Sequence, residues 1–226
     1  MITRVNSQSF SNQATFTSNT ISTTLGFSAS NNNLLVAVFA MLSGGAIQSI
    51  AQTNVTWAKA TSQVLATSAG VELWYGVVSG GTAGTTLSVT SNLTLWNFGL
   101  IIAEYSGLSS NPLDKIASNS AAATTTVDSG TTATTSQNNE LWVAGFYANV
   151  GTATIGSPSN GFTQVSQISA DDTITNPMAF EENIVSSTGT ANTSASVTAS
   201  GAVGGVIATF TSSNITPTLT LMGVGS

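Results

Sequence analysis

The 226-residue chain contains no cysteine and no histidine. Without cysteine there is no disulfide framework and no thiolate to act as nucleophile or metal ligand. Without histidine the commonest general base, the commonest metal ligand and the side chain that titrates near neutrality are missing together. Charge is scarce too: 5% of residues are Asp, Glu, Lys or Arg, against about a quarter in ordinary domains. The three cations, Arg4, Lys59 and Lys115, are too few to neutralise a run of phosphates or to hold an anionic bilayer, so neither nucleic acid nor membrane is expected as a partner. The longest apolar stretches, such as 98–103, are strand-sized and far short of a membrane-spanning helix. The N-terminal Met1-Ile2-Thr3-Arg4-Val5-Asn6 shows no basic region followed by an apolar run. Synthesis in a cytoplasm without a secretory leader is therefore the expectation.

What remains is a chain whose solubility rests on Ser, Thr, Asn and Gln around an apolar fraction of 41%, enough to build a core at this length. Segments rich in Thr, Val, Ile and aromatics alternate apolar and polar residues, as half-buried strands do. Candidate strands cover 12–17, 21–28, 34–42, 47–52, 55–63, 71–78, 85–90 and 96–105, separated by Gly, Asn and Ser clusters. No segment combines a helical stripe with caps, so helix is expected to be absent or minor. The fold class is all-β, a duplicated antiparallel β-sandwich with immunoglobulin-like or jelly-roll-like halves.

The duplication is read from three matches in the same order. Asn31-Asn32-Asn33-Leu34-Leu35-Val36 recurs as Asn138-Asn139-Glu140-Leu141-Trp142-Val143, and Thr85–Thr90 recurs as Thr193–Thr198. The run from Phe98 through Ile101, Ala103 and Glu104 to Tyr105 recurs from Val203 through Val206, Ala208 and Thr209 to Phe210. Halves of 1–107 and 108–212 follow, with 213–226 as a C-terminal arm. Either each half forms its own sandwich, packed tightly on the other, or the halves share one core; the absence of a linker after Gly107 favours two packed sandwiches.

Chemistry-bearing residues are few. Glu181 and Glu182 are adjacent, so on a strand they point to opposite faces and form no catalytic pair. Asp171 and Asp172 read as a solvated turn, with calcium binding as the sharper alternative. Asp114 and Lys115 follow Asn111-Pro112 at the junction of the halves and read as a turn with a local ion pair. Glu104 ends the stripe Phe98, Leu100, Ile102 and is expected to be partly buried. Its repeat counterpart, Thr209, argues against a required carboxylate. Trp57, Trp74, Trp96 and Trp142 are candidate sugar platforms, but interchange with Leu or Phe across the repeat favours core positions. The Asn-X-Ser/Thr patterns at Asn54, Asn92, Asn192 and Asn214 are expected by chance in this composition. No catalytic residue, metal site or cofactor is nominated, and the chain is not expected to be an enzyme.

Val55-Thr56-Trp57-Ala58-Lys59-Ala60, Glu72-Leu73-Trp74-Tyr75, Ala103-Glu104-Tyr105-Ser106-Gly107-Leu108 and Asn111-Pro112-Leu113-Asp114 resemble a poorly characterised family of Thr/Ser-rich β-sandwich proteins of bacteria and tailed-phage virions. The resemblance covers about residues 20–212, and its motifs are structural, so it implies no active-site residues. It implies a virion protein of the capsid decoration or cement kind, with a tail-associated receptor- or carbohydrate-binding module as the alternative. Expected partners are capsid or other virion proteins and further copies of the chain, a trimer by analogy of role, with carbohydrate as the alternative partner. The arm supports assembly: Ile215, Leu219, Leu221, Met222 and Val224 give it an apolar pattern suited to adding a strand to a neighbour's sheet edge.

Overall fold

The computed structural model describes residues 1–12, 19–41, 45–65, 69–94, 98–169 and 176–213. Among these there is no helix. The strands are β1 (Thr3–Asn12), β2 (Thr20–Thr24), β3 (Leu34–Met41), β4 (Ile47–Ala51), β5 (Val55–Val64), β6 (Gly70–Val78), β7 (Thr86–Ser91) and β8 (Phe98–Ser106) in the first half. The second half holds β9 (Leu108–Asp128), β10 (Glu140–Asn149), β11 (Thr163–Ile168), β12 (Met178–Val185) and β13 (Ser194–Ser212). One five-stranded antiparallel sheet has the order β1-β8-β3-β6-β5, and a second has β9-β13-β10-β12-β11. A three-stranded sheet, β2-β7-β4, packs on the first.

The two five-stranded sheets are the same sheet built twice. β3 corresponds to β10, β6 to β12, β5 to β11, β1 to the start of β9, and β8 to the end of β13. The small sheet also has a counterpart. The ends of β9 and β13 pair through Val127 and Ala195, while Ile155 bridges Val197. Even the turns repeat: Asn32 and Asn139 have φ of 68° and 58°, and Asn54 and Asn160 have 60° and 54°. Asparagine enters this left-handed region more readily than other residues with a Cβ, which accounts for the Asn clusters between strands and for Asn54 standing in a turn.

Layer packing follows from which faces are apolar. Val36, Val38, Ile101, Ala103 and Tyr105 point from the first large sheet toward Val143, Phe180, Val206, Ala208 and Phe210 of the second. Leu35, Phe39, Phe98, Leu100 and Ile102 point the other way, onto Ile21, Leu87 and Val89 of the small sheet. Strands apolar on both faces, such as β3 and β8, are what a sheet covered on both sides requires. The core between the halves therefore draws its side chains from both.

The halves meet about a pseudo-twofold axis. Met178 packs against Gly99, and its counterpart Val71 packs against the counterpart glycine, Gly204. Tyr105 meets Glu182 on one side, and their counterparts Phe210 and Tyr75 meet edge-on at 5.6 Å on the other. Reciprocal contacts of this kind define an isologous interface, held here within one chain. Val38 and its counterpart Gly145 face each other on the axis. A Cβ on Gly145 would stand 2.5 Å from Val38 Cγ1. Two valines would clash there and two glycines would leave a void.

Two expectations are corrected. Residues 3–12 form β1, whereas the expected first strand, 12–17, lies almost wholly outside the described residues. Asn111, Pro112, Asp114 and Lys115 lie within β9 rather than in a turn. Pro112 is accommodated because β9 is an edge strand, where a missing N–H breaks no central ladder. The arm residues Ile215, Leu219, Leu221, Met222 and Val224, together with Asp171, Asp172 and Trp96, lie outside the described residues.

The axis contact is open to a swap experiment. Gly145→Val alone is expected to cost about 1–3 kcal/mol through overpacking. Adding Val38→Gly is expected to restore part of that loss, because the valine then sits on the opposite strand of the same contact. Chemical denaturation of the two variants measures it, and a double variant no more stable than Gly145→Val would contradict the axis.

Candidate functional site

All five glutamates are buried, although only Glu104 carried a sequence signal of burial. Glu72 lies on β6, and its carboxylate links β4 and β5. It takes hydrogen bonds from Ile47 N at 3.1 Å and Trp74 Nε1 at 2.7 Å, and it pairs with Lys59 Nζ at 2.8 Å. The Lys59 ammonium also sits 5.2 Å from the Trp74 ring centroid, within cation–π range. Glu104 is fully buried and accepts from Asn6 Nδ2 at 2.6 Å, Ser30 N at 2.8 Å and Asn33 Nδ2 at 2.6 Å. Three donors satisfy a carboxylate that burial would otherwise penalise.

The second half keeps a carboxyl at the equivalent corner but moves it to the neighbouring strand. Thr209 replaces Glu104, and Glu140 replaces Asn33. Asn33 and Glu140 are aligned in the repeat, so the exchange is visible in the sequence once both positions are read together. Glu140 is buried, and its pKa is pushed to about 7, first by desolvation and then by the nearby Asp114 carboxylate. Asp114 stays below its ordinary value. Burial alone would raise it, but Lys115 Nζ at 2.6 Å and Ser136 N at 2.7 Å outweigh that effect. The expected Asp114–Lys115 ion pair is thus present, on a strand. Acid and carboxylate stand side by side at this corner.

Glu181 and Glu182 point to opposite faces, as strand alternation requires. Glu182 faces the seam between the halves. It accepts from Tyr105 Oη at 2.5 Å and pairs with Arg4 Nη1 at 3.1 Å, and burial followed by the Glu182 charge raises the Tyr105 pKa. Glu181 faces the outer core, where Thr193 Oγ1 donates to Oε2 at 3.0 Å and Oε1 has no partner. Desolvation raises its pKa to about 7, only partly offset by Thr193. A neutral acid is the form that tolerates such a site.

The three described tryptophans do not form a platform. Trp74 is buried, while Trp57 and Trp142 are half-buried with their ring nitrogens enclosed and without an acceptor. Trp142 tilts against Phe162 at 6.4 Å, the pairing expected of rim packing. Among the described residues no three acidic side chains gather as a metal site. One open cleft of about 310 Å³ lies at the seam margin, lined by Thr56, Tyr75, Val77, Ser110, Asn111 and Pro112. A smaller one of about 80 Å³ lies beside Lys59 and Glu72 and has room for a few waters. No family model, curated protein or solved structure matches the chain.

The raised carboxyls make stability depend on pH. The folded chain keeps protons on Glu140 and Glu181 up to about pH 7, while the unfolded chain releases them near the ordinary value of 4.5. Stability therefore falls as pH rises through that window and is flat above it. Glu181→Gln, neutral at every pH, is expected to raise Tm relative to the parent at pH 8 and to leave it nearly unchanged at pH 4. The gain at pH 8 is on the order of 2–3 kcal/mol. Equal differences at both pH values in thermal melts would refute a protonated Glu181.

Proposed function

We propose that the chain is a virion structural protein of the capsid decoration or cement kind, made in a host cytoplasm and acting through protein–protein contacts. The observation that carries this reading is the edge of β9 that no described strand pairs, although Gly130 lies against Ser118 and Asp128 accepts from Asn119. The strand runs for 21 residues, and Ile116–Ala121 pair in unbroken register with Ala208–Val203 on one side. No described strand pairs with its other side. Edges are usually blunted by charge, proline or bulges. β9 has all three between Pro112 and Ile116, but none from Ala117 to Ser120. Such a strand is a template for strand addition from another chain.

The surface chemistry supports the same reading. Arg4, Lys59 and Lys115 are each paired with an acid of the same chain, and the glutamates are buried. What the described residues offer a neighbour is mostly hydroxyl, amide and small apolar groups, which can be covered without stripping water from ions. A homo-oligomer assembled by the segment 214–226 of one copy on the β9 edge of another fits this arrangement.

Light-scattering mass of the full chain after gel filtration, compared with a chain ending at Ser213, tests the proposal. The full chain is expected at a multiple of 22.8 kDa, trimeric in the reading above, and the shortened chain at one copy. A full chain that stays monomeric at high concentration, or an oligomer indifferent to the truncation, would count against arm exchange on β9.

A further inference from the structure

The pseudo-twofold axis creates the seam margin twice, and the two copies differ. On one side Ile2 is buried in the shared core, and Arg4 reaches across to Glu182. On the other side the counterpart of Thr3 is Pro112. The equivalent bonds Ser106 Oγ to Thr3 O and Thr211 Oγ1 to Pro112 O fix that correspondence. Asn111 therefore stands where Ile2 stands, Leu113 where Arg4 stands, and Tyr75 where Glu182 stands. Asn111 is exposed instead of buried, and the counterpart of Arg4 carries no charge to reach across. The first copy of the margin is filled by the chain itself, and the second is the 310 Å³ cleft.

We propose that this cleft binds a neutral saccharide ring. Its volume lies at the lower end of the range for small-molecule sites, about 300–1,000 Å³. Tyr75 lines its margin, half-buried, and its T-shaped contact with Phe210 at 5.6 Å holds the aromatic ring in place there. Thr56 and Ser110 supply exposed hydroxyls and Asn111 an amide that both donates and accepts. No charged residue lines the cleft. A ligand matched to it has one apolar face and a rim of hydroxyls and no net charge, the chemistry of a hexose or N-acetylhexosamine. Anionic sugars would find no cation there. The site needs a single copy of the chain, so it stands or falls independently of the assembly reading.

Saturation-transfer NMR on the full chain, with a panel of glucose, galactose, N-acetylglucosamine, maltose, lactose and chitobiose, provides the test. At ~10 mM sugar, a complex with a Kd of ~1 mM is largely formed. At least one sugar is expected to receive saturation, strongest at the protons of one ring face. Asn111→Ala with Ser110→Ala, both at exposed positions, is expected to weaken that sugar about tenfold at unchanged Tm. Tyr75→Leu is expected to abolish the face-selective transfer, provided its melt shows a folded chain; the exposed pair decides if it does not. No transfer to any sugar in the panel would overturn the proposal. So would binding that the Ser110 and Asn111 substitutions leave unchanged.

Discussion

Everything else in the molecule depends on one sheet lying face to face on its own copy. Because the copies are related by a pseudo-twofold axis, a residue on the axis must pack against its own counterpart. In a dimer of identical chains that position would face itself and could hold only one side-chain size. Joining the halves in one chain removes the restriction, and Val38 against Gly145 shows the result. The same freedom lets the off-axis contacts diverge, into a Tyr105–Glu182–Arg4 cluster on one side and a Tyr75–Phe210 pair on the other. The open cleft is a by-product of that divergence.

The second constraint is the placement of charge. With so few ionisable residues, most chains would set them on the surface for solubility. This chain turns its glutamates inward and satisfies them with asparagines, backbone amides, a tyrosine and its few cations. The cost falls on Glu140 and Glu181, where desolvation exceeds the bonding available. What the described residues leave at the surface is mostly hydroxyl, amide and small apolar groups.

Much of the architecture was legible in the sequence because the apolar spacing is regular. The strands from β3 to β8 fall close to the alternating segments, and two of the three matched runs occupy equivalent positions in the two large sheets, while the third lies in β7 of the small sheet and in its counterpart at the start of β13. The opposite faces of Glu181 and Glu182, and of Phe98–Leu100–Ile102 against Ile101–Ala103–Tyr105, follow from a period of two. β1 was not legible. It is an edge strand with few apolar residues, and a bulge between Arg4 and Asn6 breaks its alternation. Burial of the glutamates was hidden because each partner is distant in sequence: Asn6 and Ser30 for Glu104, Lys59 for Glu72, Arg4 and Tyr105 for Glu182. Asn111-Pro112 looks like a turn in isolation, and only the neighbouring β13 makes it part of a strand. The cleft had no local signal at all, since it is the difference between two seam margins.

Differential scanning calorimetry of the intact chain tests most directly whether the seam makes the two halves one cooperative body. A single transition is expected, with the calorimetric enthalpy equal to the van't Hoff enthalpy, because neither large sheet can lose the other without exposing the shared core. Two resolved transitions, or a calorimetric enthalpy about twice the van't Hoff value, would mean that each half is stable by itself and would contradict the account.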